Sequence, residues 1–151
     1  MTLNFDRYAA KANRMINEVA IELGDRYNPE KASRVLRSVL HALRNRLTIE
    51  ESLELIAHLP LYIKALYVDD WRINKKYRRI KHIDDFFDEV YMESSKLGFF
   101  DFPESSSIYN AVTSVFRVLK YHVTTGEIND LSSVLPKELK KLFEDPMLEK
   151  V

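Results

Sequence analysis

Nonpolar residues return at steps of three and four along most of the chain, the period of a helix with one buried face. Phe5, Tyr8, Ala9, Ala12, Met15, Ile16, Val19, Ala20 and Leu23 make the first stripe, which Gly24 ends. Asn28, Pro29 and Glu30 open a second helix: a capping side chain, a proline at the first helical position, and a carboxylate at the positive end of the dipole. Its inner face carries Ala32, Val35, Leu36, Val39, Leu40, Leu43 and Leu47. Thr48 and Glu51 stand at the spacing of a capping box, in which hydroxyl and carboxylate satisfy each other's free backbone amides. They predict a short third helix through Leu53, Leu55 and Ile56, which Pro60 interrupts because proline has no N–H to donate. Pro60 then opens a fourth helix, to about Val68.

The next helix is predicted over 80–97, with Ile83, Phe86, Phe87, Val90 and Tyr91 inward and Gly98 at the position past its end that favours a left-handed residue. Pro103 and Glu104 open another, carrying Ile108, Ala111, Val112, Val115, Phe116 and Leu119. Thr124 and Glu127 form a second capping box, and Pro136 a second break. The pattern predicts an all-α chain of about eight helices packed as one compact bundle.

The second half of that pattern repeats the first. Residues 33–69 and 109–145, set against each other without a gap at an offset of 76, are identical at 11 of 37 positions. About 2 identities would arise by chance at roughly one in sixteen per site, so the chain reads as a tandem repeat. The shared positions are core (Val39 and Val115, Leu43 and Leu119, Leu55 and Leu131, Leu59 and Leu135, Leu66 and Leu142) or caps and breaks (Thr48 and Thr124, Glu51 and Glu127, Pro60 and Pro136). This organisation places a first helical unit at 1–70, a basic linker at 71–79 and a second unit at 80–151, both within one compact domain.

The stretches RVLRSVLHALRNRLTIEESLELIAHLPLYIKALYVDDW at 34–71 and VFRVLKYHVTTGEINDLSSVLPKELKKLF at 115–143, with Leu-Pro pairs at 59–60 and 135–136, resemble the bacterial domain-of-unknown-function family 2267. The resemblance implies an all-helical tandem repeat with no assigned activity and no catalytic residues to carry over.

Composition narrows the field further. The 151 residues are 46% hydrophobic and 30% charged, enough for a sizeable core. The 23 basic and 23 acidic side chains cancel, so no overall field draws the chain to nucleic acid or an acidic membrane. No cysteine is present, which excludes disulfides and thiol chemistry and fits a cytoplasmic setting. The start, MTLNFDRYAAKANRM, is mixed in charge rather than an apolar leader, and no run of about eighteen apolar residues is present, so no membrane association is expected.

Little in the chain reads as chemistry. His41, His58, His82 and His122 never fall three or four residues apart, the spacing that would put two metal ligands on one helical face. Asp84, Asp85, Asp88, Glu89 and Glu93 read as a solvated outer face opposite Ile83, Phe86, Phe87 and Val90. With 3 glycines there is no phosphate-binding loop or nucleophile elbow. The reading is therefore no enzyme, no catalytic residue, no cofactor and no metal.

Two segments remain for a function. Where the first copy has Ile56, Ala57, Leu61, Tyr62, Ala65 and Val68, the second carries Ser132, Ser133, Lys137, Glu138, Lys141 and Glu144, so LPLYIKALYV, which holds the fourth helix, is apolar almost all round. A helix apolar on every side is expected to be covered on every side, at the centre of the molecule. If it is open instead, Leu61, Tyr62, Ala65, Tyr67 and Trp71 form the surface for a partner or a second copy. The other segment, WRINKKYRRIKH at 71–82, groups Arg72, Lys75, Lys76, Tyr77, Arg78, Arg79 and Lys81 without an acid. It reads first as a solvated linker complementing the acidic helix that follows, and alternatively as a strip for anions or nucleic acid. The function that best fits is a non-catalytic helical interaction module, with nucleic-acid or anion binding through 71–82 as the alternative.

Overall fold

The computed structural model describes residues 3–73, 82–122, 125–133 and 135–145. Its described residues form eight helices and no strand: α1 (Phe5–Glu22), α2 (Pro29–Arg46), α3 (Ile49–Ala57), α4 (Leu61–Val68), α5 (Ile83–Lys96), α6 (Ser105–Tyr121), α7 (Thr125–Ser133) and α8 (Lys137–Phe143).

The helix starts follow from capping chemistry. Asn28 Oδ1 accepts from Lys31 N at 3.2 Å with Pro29 at the first helical position. Thr48 Oγ1 accepts from Glu51 N at 3.1 Å, while Glu51 Oε1 accepts from Thr48 N at 2.8 Å, so two free amides are satisfied reciprocally. The second capping box rests on Thr124 and the Glu127 side chain, which lie outside the described residues. Pro60 and Pro136 share an extended backbone, with ψ of 154° and 151°, and their carbonyls accept from Lys64 N and Lys140 N, both at 2.8 Å.

Three local expectations shift. The described part of the 80–97 helix begins at Ile83. Helix α6 begins at Ser105, which leaves Pro103 and the extended Glu104 before it. Phe5 and Tyr91, read as inward, are exposed. Helix α6 ends beside Glu18, so the first turns of α1 run past it; Tyr91 is turned away from the Phe86, Val90, Glu93 line that packs inward.

The long helices pack across the two halves. Helix α2 makes its most extensive contact with α5, and α1 packs on both α2 and α6. Both cross-packings are antiparallel: Arg34 meets Asp101 just beyond α5 while Arg46 meets Glu89 midway along it, and Glu22 meets Arg117 while Glu18 meets His122. One cluster of buried residues draws on all eight helices, with Leu36, Leu40 and Leu43 of α2 and Phe116 of α6 among its least accessible members. Phe116 is ringed by Phe86 and Phe143, at centroid distances of 6.4 and 5.6 Å.

Positions also correspond between the halves. Helices α6, α7 and α8 each begin 76 positions after α2, α3 and α4, at Ser105 for Pro29, Thr125 for Ile49 and Lys137 for Leu61. Arg44 Nη1 donates to the carbonyl of Tyr67 at 2.8 Å, and Lys120 Nζ, 76 positions on, donates to that of Phe143 at 2.5 Å. In each case a cation from a long helix meets the last carbonyls of a short one, the negative end of its dipole. Ahead of these, Met15, Val19 and Glu22 of α1 match Phe86, Val90 and Glu93 of α5 at an offset of 71. That register carries the ion pair of Glu18 with His122 onto the pair of Glu89 with Arg46.

Candidate functional site

Helix α4 is eight residues long and packs on α1, α2 and α3, all from one side. Ile63 and Tyr67 point into the core, and Leu66 is half-buried. Leu61, Tyr62, Ala65 and Val68 face solvent, with Leu61 at 44% and Val68 at 43% relative exposure. The expectation that an all-apolar helix sits covered on every side is therefore corrected: the neighbouring helices reach only one flank. A second correction concerns Tyr67, which was grouped with the surface residues but is 0% exposed. Its hydroxyl pairs with Ser52 Oγ at 2.7 Å, and burial raises its pKa above the ordinary tyrosine value. Trp71 is half-buried, its ring edge-on to Tyr67 at 5.9 Å.

What seats α4 is a polar set on α2 that the hydrophobic pattern does not reveal. Arg44 reaches the carbonyls of Tyr67 at 2.8 Å, Asp69 at 2.6 Å and Asp70 at 3.2 Å. Asp70 holds a left-handed backbone, φ 58°, in the turn that those bonds brace. His41 Nε2 lies 2.8 Å from the carbonyl of Leu66, and since a carbonyl only accepts, that nitrogen carries the proton. Burial is the main cause that lowers the His41 pKa to about 4.

A pH dependence follows. In the unfolded chain His41 takes up a proton near pH 6.5, but in the fold it stays neutral down to about 4, so the unfolded state binds more protons across that window. Stability therefore falls with falling pH, by about 3 kcal/mol in all from this group. Urea unfolding between pH 7 and pH 4.5 should show the fall for the wild type, and His41→Gln should flatten it. An equal slope in the variant would assign the effect to other groups.

Between α1, α2 and α4 lies an apolar groove of about 430 Å³, lined also by Leu97 and Phe99. Ala12, Ile16, Ile63, Leu66 and Tyr62 line it, with Asn13 and Ser33 as small polar members. Two guanidiniums flank it. Asp101, itself buried, accepts from Arg34 Nε at 3.0 Å and Nη2 at 2.9 Å, and the Arg34 guanidinium lies 4.0 Å from the centre of the Phe99 ring. That hydrogen bond to Asp101 is the main cause that raises the Arg34 pKa. Arg37 Nη1 bonds Asp69 Oδ2 at 2.9 Å, which holds the Asp69 carboxyl below its ordinary pKa. Phe100, beside Phe99, is 76% exposed.

The charged segments divide differently from their sequence reading. Of the basic strip, Arg72 is exposed; Lys75, Lys76, Tyr77, Arg78, Arg79 and Lys81 lie outside the described residues. The acidic run is not one solvated face. Asp84 and Asp88 are exposed, but Glu89 bonds Arg46 Nε at 3.0 Å and the buried Glu93 accepts from Asn45 at 2.7 Å and Lys96 at 2.8 Å. Burial alone would raise the Glu93 pKa, yet the bonds from Lys96 and Asn45 bring it below the usual value. Glu89 and Glu93 thereby join α5 to α2. Among the described residues no group of three or more His, Cys, Asp or Glu is placed to hold a metal ion, and no helix is long and apolar enough to cross a membrane.

Fold and groove together define an all-helical bundle with an apolar groove beside α4. The chain belongs to the family described as "Uncharacterized conserved protein (DUF2267)", whose pattern matches residues 12–145. No curated protein matches it.

Proposed function

We propose that the protein is a non-catalytic interaction module that binds an apolar protein surface through the outward side of α4, a second copy of the chain being the first partner to test. One observation carries the reading. Leu61, Tyr62, Ala65 and Val68 face outward on α4, and 76 positions on, α8 with its C-terminal cap has Lys137, Glu138, Lys141 and Glu144. The fold thus forms a short helix at this place with charged residues at all four positions. Folding does not require them to be apolar, and exposing apolar area without a partner is unfavourable.

The test is light scattering across a range of protein concentrations. The wild type should gain mass with concentration, and the double variant Leu61→Glu with Val68→Glu should stay monomeric with unchanged far-ultraviolet circular dichroism. A wild type that is monomeric throughout, or a double variant that associates equally, would count against this reading.

A further inference from the structure

We infer that the groove between α1, α2 and α4 is a binding site for a small amphipathic carboxylate, with its hydrocarbon part against Ile16, Ile63 and Leu66 and its carboxylate on Arg37 and Arg34. The inference goes beyond the α4 surface, which faces outward, and concerns the concave side that Tyr62 alone shares with it.

The groove has the size of a small-molecule site, which runs from about 300 to 1,000 Å³; its volume is about 430 Å³. It is also not a by-product of packing. In the registers that match the halves, Ile16 corresponds to Phe87 and Ser33 to Tyr109. Those two rings meet edge-to-face at 6.1 Å, so the corresponding place between α5 and α6 is filled by aromatic side chains. The same helix pair thus accepts large residues at these positions. In the first half they are smaller, and space is left.

The polar groups decide the ligand's chemistry. Arg34 and Arg37 stand one turn apart on α2, at places where α6 has Asn110 and Thr113. A guanidinium presents five N–H donors in a rigid fork. Asp101 engages Nε and Nη2 of Arg34, so its Nη1 edge remains for a ligand; Asp69, whose side chain is 62% exposed, engages Nη1 of Arg37. Each carboxylate fixes its arginine's orientation without using the whole fork. An apolar floor beside two forks fits a molecule with a hydrocarbon body and one anionic end, and disfavours a cation or a neutral lipid.

Calorimetric titration with dodecanoate, kept below its micellar concentration, tests this, with dodecanol and dodecyltrimethylammonium as matched tails. Dodecanoate should bind saturably, at one site, and more tightly than either. Arg37→Gln should weaken it about tenfold, the loss of one charge-assisted hydrogen bond. Ile16→Phe with Ser33→Tyr, which copies the residues of the other half, should abolish it while leaving the urea midpoint and helicity near wild type. Should that pair fail to fold, Ser33→Tyr alone serves. Absence of saturable binding, equal binding of dodecanol, or undiminished binding by a folded filled variant would each overturn the site. The α4 proposal is tested separately, because Leu61→Glu with Val68→Glu should leave dodecanoate binding intact, and filling the groove should leave self-association intact.

Discussion

Phe116→Ala should lower the stability of the fold by about 4 kcal/mol, within the 3–5 kcal/mol typical of a buried phenylalanine replaced by alanine. Phe116 is 1% exposed at the middle of α6, and its ring touches Phe86 of α5 and Phe143 of α8, so the variant loses apolar transfer energy and leaves a cavity between three helices. The aromatic partners come from separate elements whose positions other contacts fix, so they cannot close the gap fully. For a domain of ordinary stability, 5–15 kcal/mol, this is a large fraction. Urea unfolding followed by circular dichroism should show a midpoint lower by about 2 M, taking a slope of roughly 2 kcal/mol/M. Phe100→Ala is the control: that ring is 76% exposed, and its loss should move the midpoint little. Equal shifts for the two phenylalanines would mean that the aromatic cluster is not the core.

The helices were legible because their signals are local. Asn28 with Pro29, Thr48 with Glu51, and the prolines at 60 and 136 act within four residues of themselves, and the structure uses the described ones as caps and breaks. The orientation of α4 was not legible, since seven of its eight residues are apolar and look alike whichever side is covered; what decides is that its neighbours lie along one flank. The alignment nonetheless located the informative contrast, apolar on α4 against charged on α8, and only the inference from apolar to buried failed. Glu93 was missed because a carboxylate on a charged run reads as solvated, whereas its partner Asn45 is 48 residues away on α2. The groove was invisible for a related reason. It is made by what is small at Ala12 and Ser33, on different helices, and absence of bulk has no periodicity.

Arg44 breaks the pattern in the same way: a cation amid Val39, Leu40, Leu43 and Leu47 is 8% exposed and serves the backbone of another helix. Arg44→Met should lower stability by about 3 kcal/mol. The methionine fills much of the same volume and removes the cost of desolvating the charge, which argues for a small effect. Against that, the carbonyls of Tyr67, Asp69 and Asp70 lose a charged donor at the end of α4, and charge-assisted bonds of this kind contribute about 1.5–3 kcal/mol each, with unpaired buried carbonyls adding their own penalty. The second effect should win because the turn contains Asp70 at φ 58°, a conformation that needs outside support. Arg44→Lys should lose less, since Lys120 serves the matching place with an ammonium on the Phe143 carbonyl. Trp71, the single tryptophan, lies against Tyr67 and reports on this turn directly. In Arg44→Met its emission should shift to the red before the helices unfold, as α4 loosens from α2 ahead of the core. A variant with wild-type stability and unshifted emission would show that packing of Ile63 and Tyr67 alone seats α4. The surface that α4 presents, and the groove beneath it, both depend on that seating, so Arg44→Met should also weaken self-association and dodecanoate binding together.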